Sequence, residues 1–565
     1  MAVAEKRAEL AREKEFRVYG PPGTGKTTFL SKQIKKASKR YGHDKILVAS
    51  FTRAAAEEIA GRDVAIPPDN IGTLHAHCYR ALNYPDLVVN GLKKWNEEYP
   101  QYRLSGQAYK NGMSKELDVS GGQTEGDRLL KELQVLRARM KDRRMWPAEI
   151  RHFQEKWEEF KQEHGFFDFT DLIETALAEE IPPPRGTEIG FYDEVQDFTR
   201  LELALVRQWA DDMERIMIVG DDDQNLYSFK GASPEAFLKP EIPDEQVKVL
   251  NQSYRVPQAV QQLAQKWIEQ IPAEQRKQKE YKPTERPGHV ELLRQANYKK
   301  PRIVIDAAEE YIKEDKEVML LASCSYMLEK LLKELRKRGL PFHNPYARKR
   351  GDWNPLYASG ITGRKKIMAF LRPQNDLWGD KARMWTLKDL YAWTRLIKAK
   401  GNLKRGAKKE IRQIYKDEVE DSAGGGGILS ISELLEYVEE DALERALEGD
   451  VNWLKENMLG SQRKKNSIQY PLRILEKQGF DALLEQPAVK VGTIHSVKGG
   501  EADAVFLFPD LSPSGFKQWN NPNQKPAIVR QFYVAMTRAK EALIMCNATG
   551  SNSISIPYKW IEGAG

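Results

Sequence analysis

The stretch Gly20-Pro-Pro-Gly-Thr-Gly-Lys-Thr27 limits what this chain can fold into more than any other. It fits the phosphate-loop pattern G-x-x-x-x-G-K-[ST], which needs an apolar strand before it and a helix after it. Phe16-Arg-Val-Tyr19 reads as the strand, and Thr28 to about Lys39 as the helix. Glycines at 20, 23 and 25 let the backbone turn its N–H groups inward around a phosphate chain. The helix N-terminus adds its positive dipole end to the same place, with Thr24 and Thr28 beside it. Lys26 is suited to neutralising β- and γ-phosphates, and the Thr27 hydroxyl to taking one position on Mg²⁺. The loop therefore calls for a parallel α/β sheet and a bound nucleoside triphosphate.

The rest of the chain repeats that architecture. Lys45–Phe51, Ile189–Tyr192 and Ile216–Val219 read as buried strands, and helical patterns such as Arg53–Ile59 alternate with them. A second α/β region begins near Val247, includes Glu317–Ala322, and resumes with Ala488–Gly492, Ala504–Phe508 and Ala542–Cys546. Two long stretches break the alternation with charged helical patterns, one from about Arg80 to Glu163 and one from about Pro345 to Pro487. Gly424–Gly427 reads as a surface loop inside the second break. The expected fold is α/β, with two parallel-sheet cores each interrupted by a mainly helical insertion. The expected boundaries are 1–79 with 164–246 for the first core and 80–163 for its insertion. The second core takes 247–344 with 488–565, and its insertion takes 345–487.

Composition enters as a set of exclusions. No run approaches the roughly 18 apolar residues that span a bilayer, and Met-Ala-Val-Ala-Glu-Lys-Arg at the start lacks a secretory apolar core. An intracellular, cytoplasmic protein without a membrane partner is the expectation. Cys78, Cys324 and Cys546 are too scattered for a disulfide framework. His75, His77 and Cys78 have no second ligand cluster nearby, which argues against zinc. The net charge of +7 permits a polyanionic partner. Arg395–Lys409 carries seven basic residues and no acidic one; it suits either a grip on duplex DNA or a solvated helix face.

Two strand ends carry acids. Asp193-Glu-Val-Gln-Asp197 follows one strand directly, where open sheets place ligands. Asp193 suits the Mg²⁺ shell, and Glu194 suits activation of the attacking water. Gly220–Ala232 follows the other strand; there Gln224 can hydrogen-bond a γ-phosphate or the water. Tyr227 and Phe229 offer rings for stacking on bases or for core packing.

In order along the chain, these segments resemble the UvrD/Rep/PcrA family of superfamily 1 DNA helicases. Gly20–Thr27 is similar to motif I, Ser50–Ala56 to motif Ia, and Gly72–His75 to motif Ib. Asp168–Leu172 is similar to a further family signature, Asp193–Asp197 to motif II, and Gly220–Ala232 to motif III. Leu250–Arg255 is similar to motif IV, Gly492–Glu501 to motif V, and Arg530–Ala539 to motif VI. The resemblance implies two RecA-like cores, 1A and 2A, with insertions 1B and 2B, and ATP with Mg²⁺ in the cleft between the cores. It implies that Arg255 and Arg538 reach the γ-phosphate opposite Lys26, that Tyr254 stacks on adenine, and that Glu501 bonds the ribose. Phe51, Thr52, Thr73, His75, Tyr227, Phe229, Lys230, Thr493 and His495 are implied along a single-strand path.

Four departures from the family pattern stand out. The nineteen residues before Gly20 contain no glutamine to match the family's adenine-recognition segment. Phe229 and Lys230 stand where Trp and Arg are usual, and the 2B-like insertion is shorter. No long extension follows Gly565. The activity implied is ATP-driven, 3′ to 5′ movement on single-stranded DNA with duplex unwinding, acting on single-strand/duplex junctions; repair, replication restart, phage replication and defence all stay open as its pathway. The alternative is a translocating remodeller that serves a nuclease or a replication or repair partner without unwinding by itself.

Overall fold

A computed structural model describes residues 13–51, 59, 66–105, 124–344, 356, 361–371, 385–418 and 427–556. The chain divides into two compact units. One comprises Met1–Arg294, Ser323–Tyr326 and Ile494–Gly565; the other comprises Gln295–Ala322 and Met327–Thr493.

In the first unit, β1 (Glu15–Tyr19), β2 (Ile46–Ser50), β3 (Ile71–Gly72), β4 (Ile189–Asp193), β5 (Arg215–Gly220) and β6 (Val247–Val249) form one sheet. Its order is β3-β2-β4-β5-β1-β6, and every pairing is parallel. All five residues of β2 and of β4 are buried, as near-continuous apolar runs require when helices cover both faces. The helix Lys26–Tyr41 starts two residues ahead of the expected Thr28 and buries Leu30 and Ile34. On the other face, Arg200–Asp212 begins with a reciprocal Thr199–Glu202 capping box and buries Leu205, Val206 and Trp209. Of the helical expectation at Arg53–Ile59, only Ile59 lies within the described residues.

The stretch expected to be helical after Arg80 contains the helices Leu92–Glu98, Glu125–Ala138 and Ala148–His164. Their core is aromatic: Trp95, Phe153, Trp157 and Phe160 are buried, and Trp95 meets Trp157 edge-on at 4.8 Å. Each buried ring of this size contributes about 2–3 kcal/mol. The Asp168-Phe-Thr-Asp-Leu172 string has a clear structural duty. Asp168 and Asp171 form the capping box of helix Phe169–Ala178. The same carboxylates take Arg137 at 2.9 and 2.6 Å and Lys161 at 3.3 and 2.6 Å. Buried charges persist when paired and hydrogen-bonded in this way.

A second set of parallel strands follows along the chain. It draws on β7 (His289–Leu293), β8 (Val318–Ala322) and β9 (Phe342–His343). After a short antiparallel pair, β10 (Trp385–Thr386) with β11 (Ile428–Leu429), come β12 (Val489–Thr493), β13 (Ala502–Leu507) and β14 (Ala539–Cys546). Within the first unit β14 lies between β7 and β13, and within the second β12 lies between β8 and β9. The chain thus has the two parallel-sheet α/β cores that its strand patterns imply. The second unit adds helices that include Gly363–Phe370, Leu387–Thr394, Ala407–Glu418 and Asn466–Gln478. All seven cations of the 395–409 run are exposed there, while Leu396, Ile397, Leu403 and Ala407 are buried. Gly424–Gly426 lie outside the described residues. Among the described residues, no helix is long and apolar enough to cross a membrane.

Candidate active site

Strand order builds the site. Because β5 lies between β4 and β1, the loops leaving the three carboxyl ends open side by side. Gly20 N donates to Gly220 O at 3.0 Å and joins the first loop to the third. Gly23 and Gly25 both hold φ of 75°, the left-handed region that glycine occupies freely. A side chain at Gly23 would also put its Cβ 2.5 Å from that of Arg255. Thr24 Oγ1 bonds Pro21 O at 2.8 Å, and Lys26 Nζ donates to Gly20 O at 2.6 Å. Burial lowers the Lys26 pKa, opposed by the charges of Glu194, Asp221 and Asp193. Thr27 and Thr28 open the helix, the latter exposed.

At the end of β4, Asp193 is buried and its Oδ1 accepts from Glu194 N at 2.9 Å. Glu194 has φ 56°, a strained value for a non-glycine residue. That turn brings its carboxylate to Gln196 Nε2 and to Lys498 Nζ, the latter at 3.0 Å. Lys498 also contacts Asp197. Burial opposes the charge on Glu194, but Lys498 and Lys26 outweigh it and hold its pKa low. Asp197 is pushed up to about 6 by burial, which Lys498 offsets only in part. Of two carboxylates sharing one ammonium, Glu194 is the stronger acid and Asp197 the one that takes up a proton first as pH falls. At the end of β5, Gln224 donates through Nε2 to Asp221 Oδ2 at 2.8 Å and accepts at Oε1 from Arg538 Nη2 at 3.2 Å.

The arginines expected at the γ-phosphate occupy different surroundings. Arg538 is 2% exposed and also donates to Val534 O and Gly500 O, both at 3.0 Å. Arg255 pairs with Glu501 at 2.5 Å, so these two expected nucleotide contacts meet each other. Their neighbour Tyr254 is 75% exposed, and its N–H donates to Gly23 O at 2.8 Å.

Four of the expected DNA contacts form one aromatic group. Tyr227 lies 4.7 Å from Phe51, 6.0 Å from Phe229 and 6.2 Å from His495, and Phe229 lies 5.6 Å from His495. Lys230 Nζ stands 5.0 Å over the Tyr227 ring. Tyr227 is buried, whereas Phe51, Phe229 and His495 keep partial exposure. His75 is apart from this group, against Phe169 at 6.2 Å and 3.7 Å from Glu202, with burial lowering its pKa. Thr73 caps the helix Leu74–Ala81 by accepting from Ala76 N. Thr493 is buried at the end of β12, and Thr52 lies outside the described residues. His77 is engaged in structure, with its ring at Val48 O (3.2 Å) and Arg80 (2.9 Å), and Cys78 is buried.

Sequence reasoning assigned nothing to Gln196, Asp197, Asp221 and Lys498, although all four lie inside strings it singled out. Gln196 Oε1 accepts from Asp221 N at 3.0 Å while its Nε2 serves Glu194, linking the loops after β4 and β5. The charged stretch after helix Gln258–Ile268 was missed as well: Arg276 and Lys279 both pair into the Asp221–Asp223 turn. Neither belongs to a motif, and their spacing carries no signal that could have found them.

Comparison with known proteins identifies the family. Residues 1–245 match the UvrD/REP helicase N-terminal domain, and residues 383–550 match the UvrD-like helicase C-terminal domain. A probable DNA helicase II homolog of Mycoplasma pneumoniae is 24% identical over 627 residues, covering 96% of this chain and 84% of the relative. The putative ATP-dependent DNA helicase YjcD of Bacillus subtilis is 24% identical over 261 residues, 42% of this chain and 34% of the relative. The ATP-dependent DNA helicase UvrD2 of Mycobacterium tuberculosis is 26% identical over 299 residues, 47% of this chain and 42% of the relative. The chain therefore spans most of the first of these relatives and less than half of the other two. With both domain models matched in order, and the phosphate loop, acidic strand end and Gln224 turn gathered at one sheet edge, the chain belongs to the UvrD-like helicase family.

Proposed function

We propose that this protein hydrolyses ATP to move 3′ to 5′ along single-stranded DNA and to separate the strands of a duplex ahead of it. The observation that carries the reading is the Gln224 amide, bonded on one side to Asp221 and on the other to Arg538. It couples the phosphate-loop sheet to the helix Lys525–Met536 that ends just before Arg538. A change at the γ-phosphate is thereby felt by elements from both ends of the sequence.

The residues present fit a magnesium-bound triphosphate. The loop is too close to Arg255 for a side chain at Gly23, and Lys26 already rests on a carbonyl oxygen, the same kind of acceptor as a phosphate oxygen. Thr27 and Asp193 are the oxygen donors that would hold Mg²⁺, a hard cation that neutralises charge on the transferring group. Lys26, Arg255 and Arg538 bind and orient the phosphates, Glu194 takes the proton of the attacking water, and Gln224 orients that water. Tyr254 offers an exposed ring to the base, and Glu501 a carboxylate to the ribose. Phe51, Phe229 and His495, gathered around the buried Tyr227 with Lys230 over its ring, line the DNA path and offer faces for stacking on bases. Alternating grip by the two cores as the cleft closes and opens turns hydrolysis into movement.

Strand separation of a 3′-tailed duplex against a 5′-tailed one, with ATP and Mg²⁺, tests the reading. Unwinding of the 3′-tailed substrate alone, abolished by Lys26→Ala, is expected. DNA-stimulated hydrolysis that persists in Lys26→Ala overturns the site. Hydrolysis and movement without strand separation would favour a remodeller that works through a partner.

A further inference from the structure

Between the helix Gln258–Ile268 and β7 the chain passes through Arg276–Lys282, a stretch to which the proposed function gives no role. Lys279 is buried there, its ammonium 2.6 Å from Asp221 Oδ1, 2.5 Å from Asp222 Oδ1 and 3.0 Å from Asp223 Oδ2. Arg276 grips Asp223 with two donors at 3.0 and 2.7 Å, and Lys277 N donates to Asp222 Oδ2 at 2.9 Å. Two residues past Lys279, Tyr281 Oη donates to Pro22 O at 3.0 Å, inside the phosphate loop. The same stretch therefore holds both the loop after β1 and the turn after β5.

Three consecutive buried aspartates look like a cation site, but Lys279 already supplies the cation. What the arrangement controls is an amide. A glutamine side chain can turn end for end and exchange its donor with its acceptor. The Asp221 oxygen accepts and the Arg538 guanidinium can only donate, so together they have Gln224 present its NH₂ to Asp221 and its oxygen to Arg538. We propose that Lys279 is a positioning residue: by pairing with Asp221 it holds the carboxylate that anchors the Gln224 amide, and so sets where that amide stands against Arg538 and the geometry of the hydrolytic step. The proposal rests on the ATPase reading above and adds a residue that the reading did not include. Asp223, locked by Arg276, and Asp222, locked by Lys277 N, keep the turn still around that amide.

Removing Lys279 alone leaves three buried carboxylates facing Arg276, and such a variant is at risk of not folding. The test therefore uses the charge-matched double variant Lys279→Met with Asp222→Asn, alongside Asp222→Asn alone and Lys279→Arg. Steady-state ATPase is measured on the full chain with saturating oligothymidylate, and folding is checked by circular dichroism and thermal melting. In the double variant kcat is expected to fall about 10²-fold with KM for ATP little changed, the signature of a misplaced catalytic group. Asp222→Asn alone and Lys279→Arg are expected to keep most of kcat. A folded double variant with kcat within about threefold of Asp222→Asn overturns the proposal, as does an equal rise in KM that accounts for the whole loss. Wild-type protein that hydrolyses no ATP would instead overturn the functional reading itself, so the two failures are told apart in one experiment.

Discussion

Replacing Arg538 separates binding from turnover. Its guanidinium makes three hydrogen bonds from one buried position, to Val534 O and Gly500 O at 3.0 Å and to Gln224 Oε1 at 3.2 Å. A planar fork serves three such acceptors at once, whereas a lysine ammonium is a point charge on a flexible stem. An arginine stabilising a transferring phosphoryl group is worth roughly 10³–10⁵-fold in rate. Arg538→Ala should therefore lower kcat by roughly 10³-fold, about 4 kcal/mol of barrier. Two backbone carbonyls also lose their charged donor, at about 1–3 kcal/mol each if they stay buried, so the melting temperature should drop as well. Arg538→Lys should restore part of the stability and only a small part of the rate. Phosphate release with saturating single-stranded DNA gives kcat, and titration with a fluorescent non-hydrolysable ATP analogue gives affinity, expected within about fivefold of wild type. A folded Arg538→Ala protein with kcat within about threefold of wild type would refute the reasoning.

Other expectations follow from the same geometry. Lys498→Met leaves Glu194 and Asp197 without the ammonium they share, and should cost about 3–5 kcal/mol, read as a large fall in melting temperature that Lys498→Arg mostly prevents. Asp197, with a folded pKa of about 6 against the ordinary 3.8, favours the fold fully below pH 3.8 and loses that contribution as pH rises through 6. Asp197→Asn should therefore gain on wild type between those pH values by up to about 3 kcal/mol; parallel denaturation midpoints across that range would contradict it. Phe229→Ala should weaken single-strand binding by about 1–3 kcal/mol with little effect on ATP affinity, measured by fluorescence anisotropy of a labelled oligonucleotide. Trp157→Ala, in the aromatic cluster of the helices between β3 and β4, should cost about 3–5 kcal/mol in stability, visible in thermal melts.

What could be read from the sequence was what is local. A phosphate loop, the strand before it and the acids at strand ends each occupy a few adjacent residues, and the fold places Gly20–Thr27, Asp193–Asp197 and Gly220–Gln224 on β1, β4 and β5 as their patterns imply. Pairings over long separations left no such trace. Lys279 reaches Asp221 from 58 residues away, and Lys498 reaches Asp197 from 301. In one dimension each is an unremarkable lysine, and only burial against a carboxylate distinguishes it. Spacing was also silent on Tyr227, whose ring is enclosed by Phe51, Phe229 and His495, so its neighbours rather than Tyr227 carry the exposed faces. The 395–409 run shows the converse. Its interleaved apolar residues turn inward, and the exposed cations find partners such as Glu439 for Lys404 and Glu456 O for Lys398.

The pairing of Arg255 with Glu501, and of Lys26 with the Gly20 carbonyl, makes nucleotide capture an exchange of partners. On the proposed function, a triphosphate would have to displace ligands that the protein supplies to its own cations. For a partly exposed ion pair that competition is worth up to about 1 kcal/mol, or roughly fivefold in affinity. The return is on the other half of the cycle. On the same reading, once the γ-phosphate had gone, the Glu501 carboxylate and the Gly20 carbonyl would be adjacent to reclaim Arg255 and Lys26. In a protein that moves as proposed, whose speed depends on letting go as often as it takes hold, that ready replacement would favour turnover over tight binding.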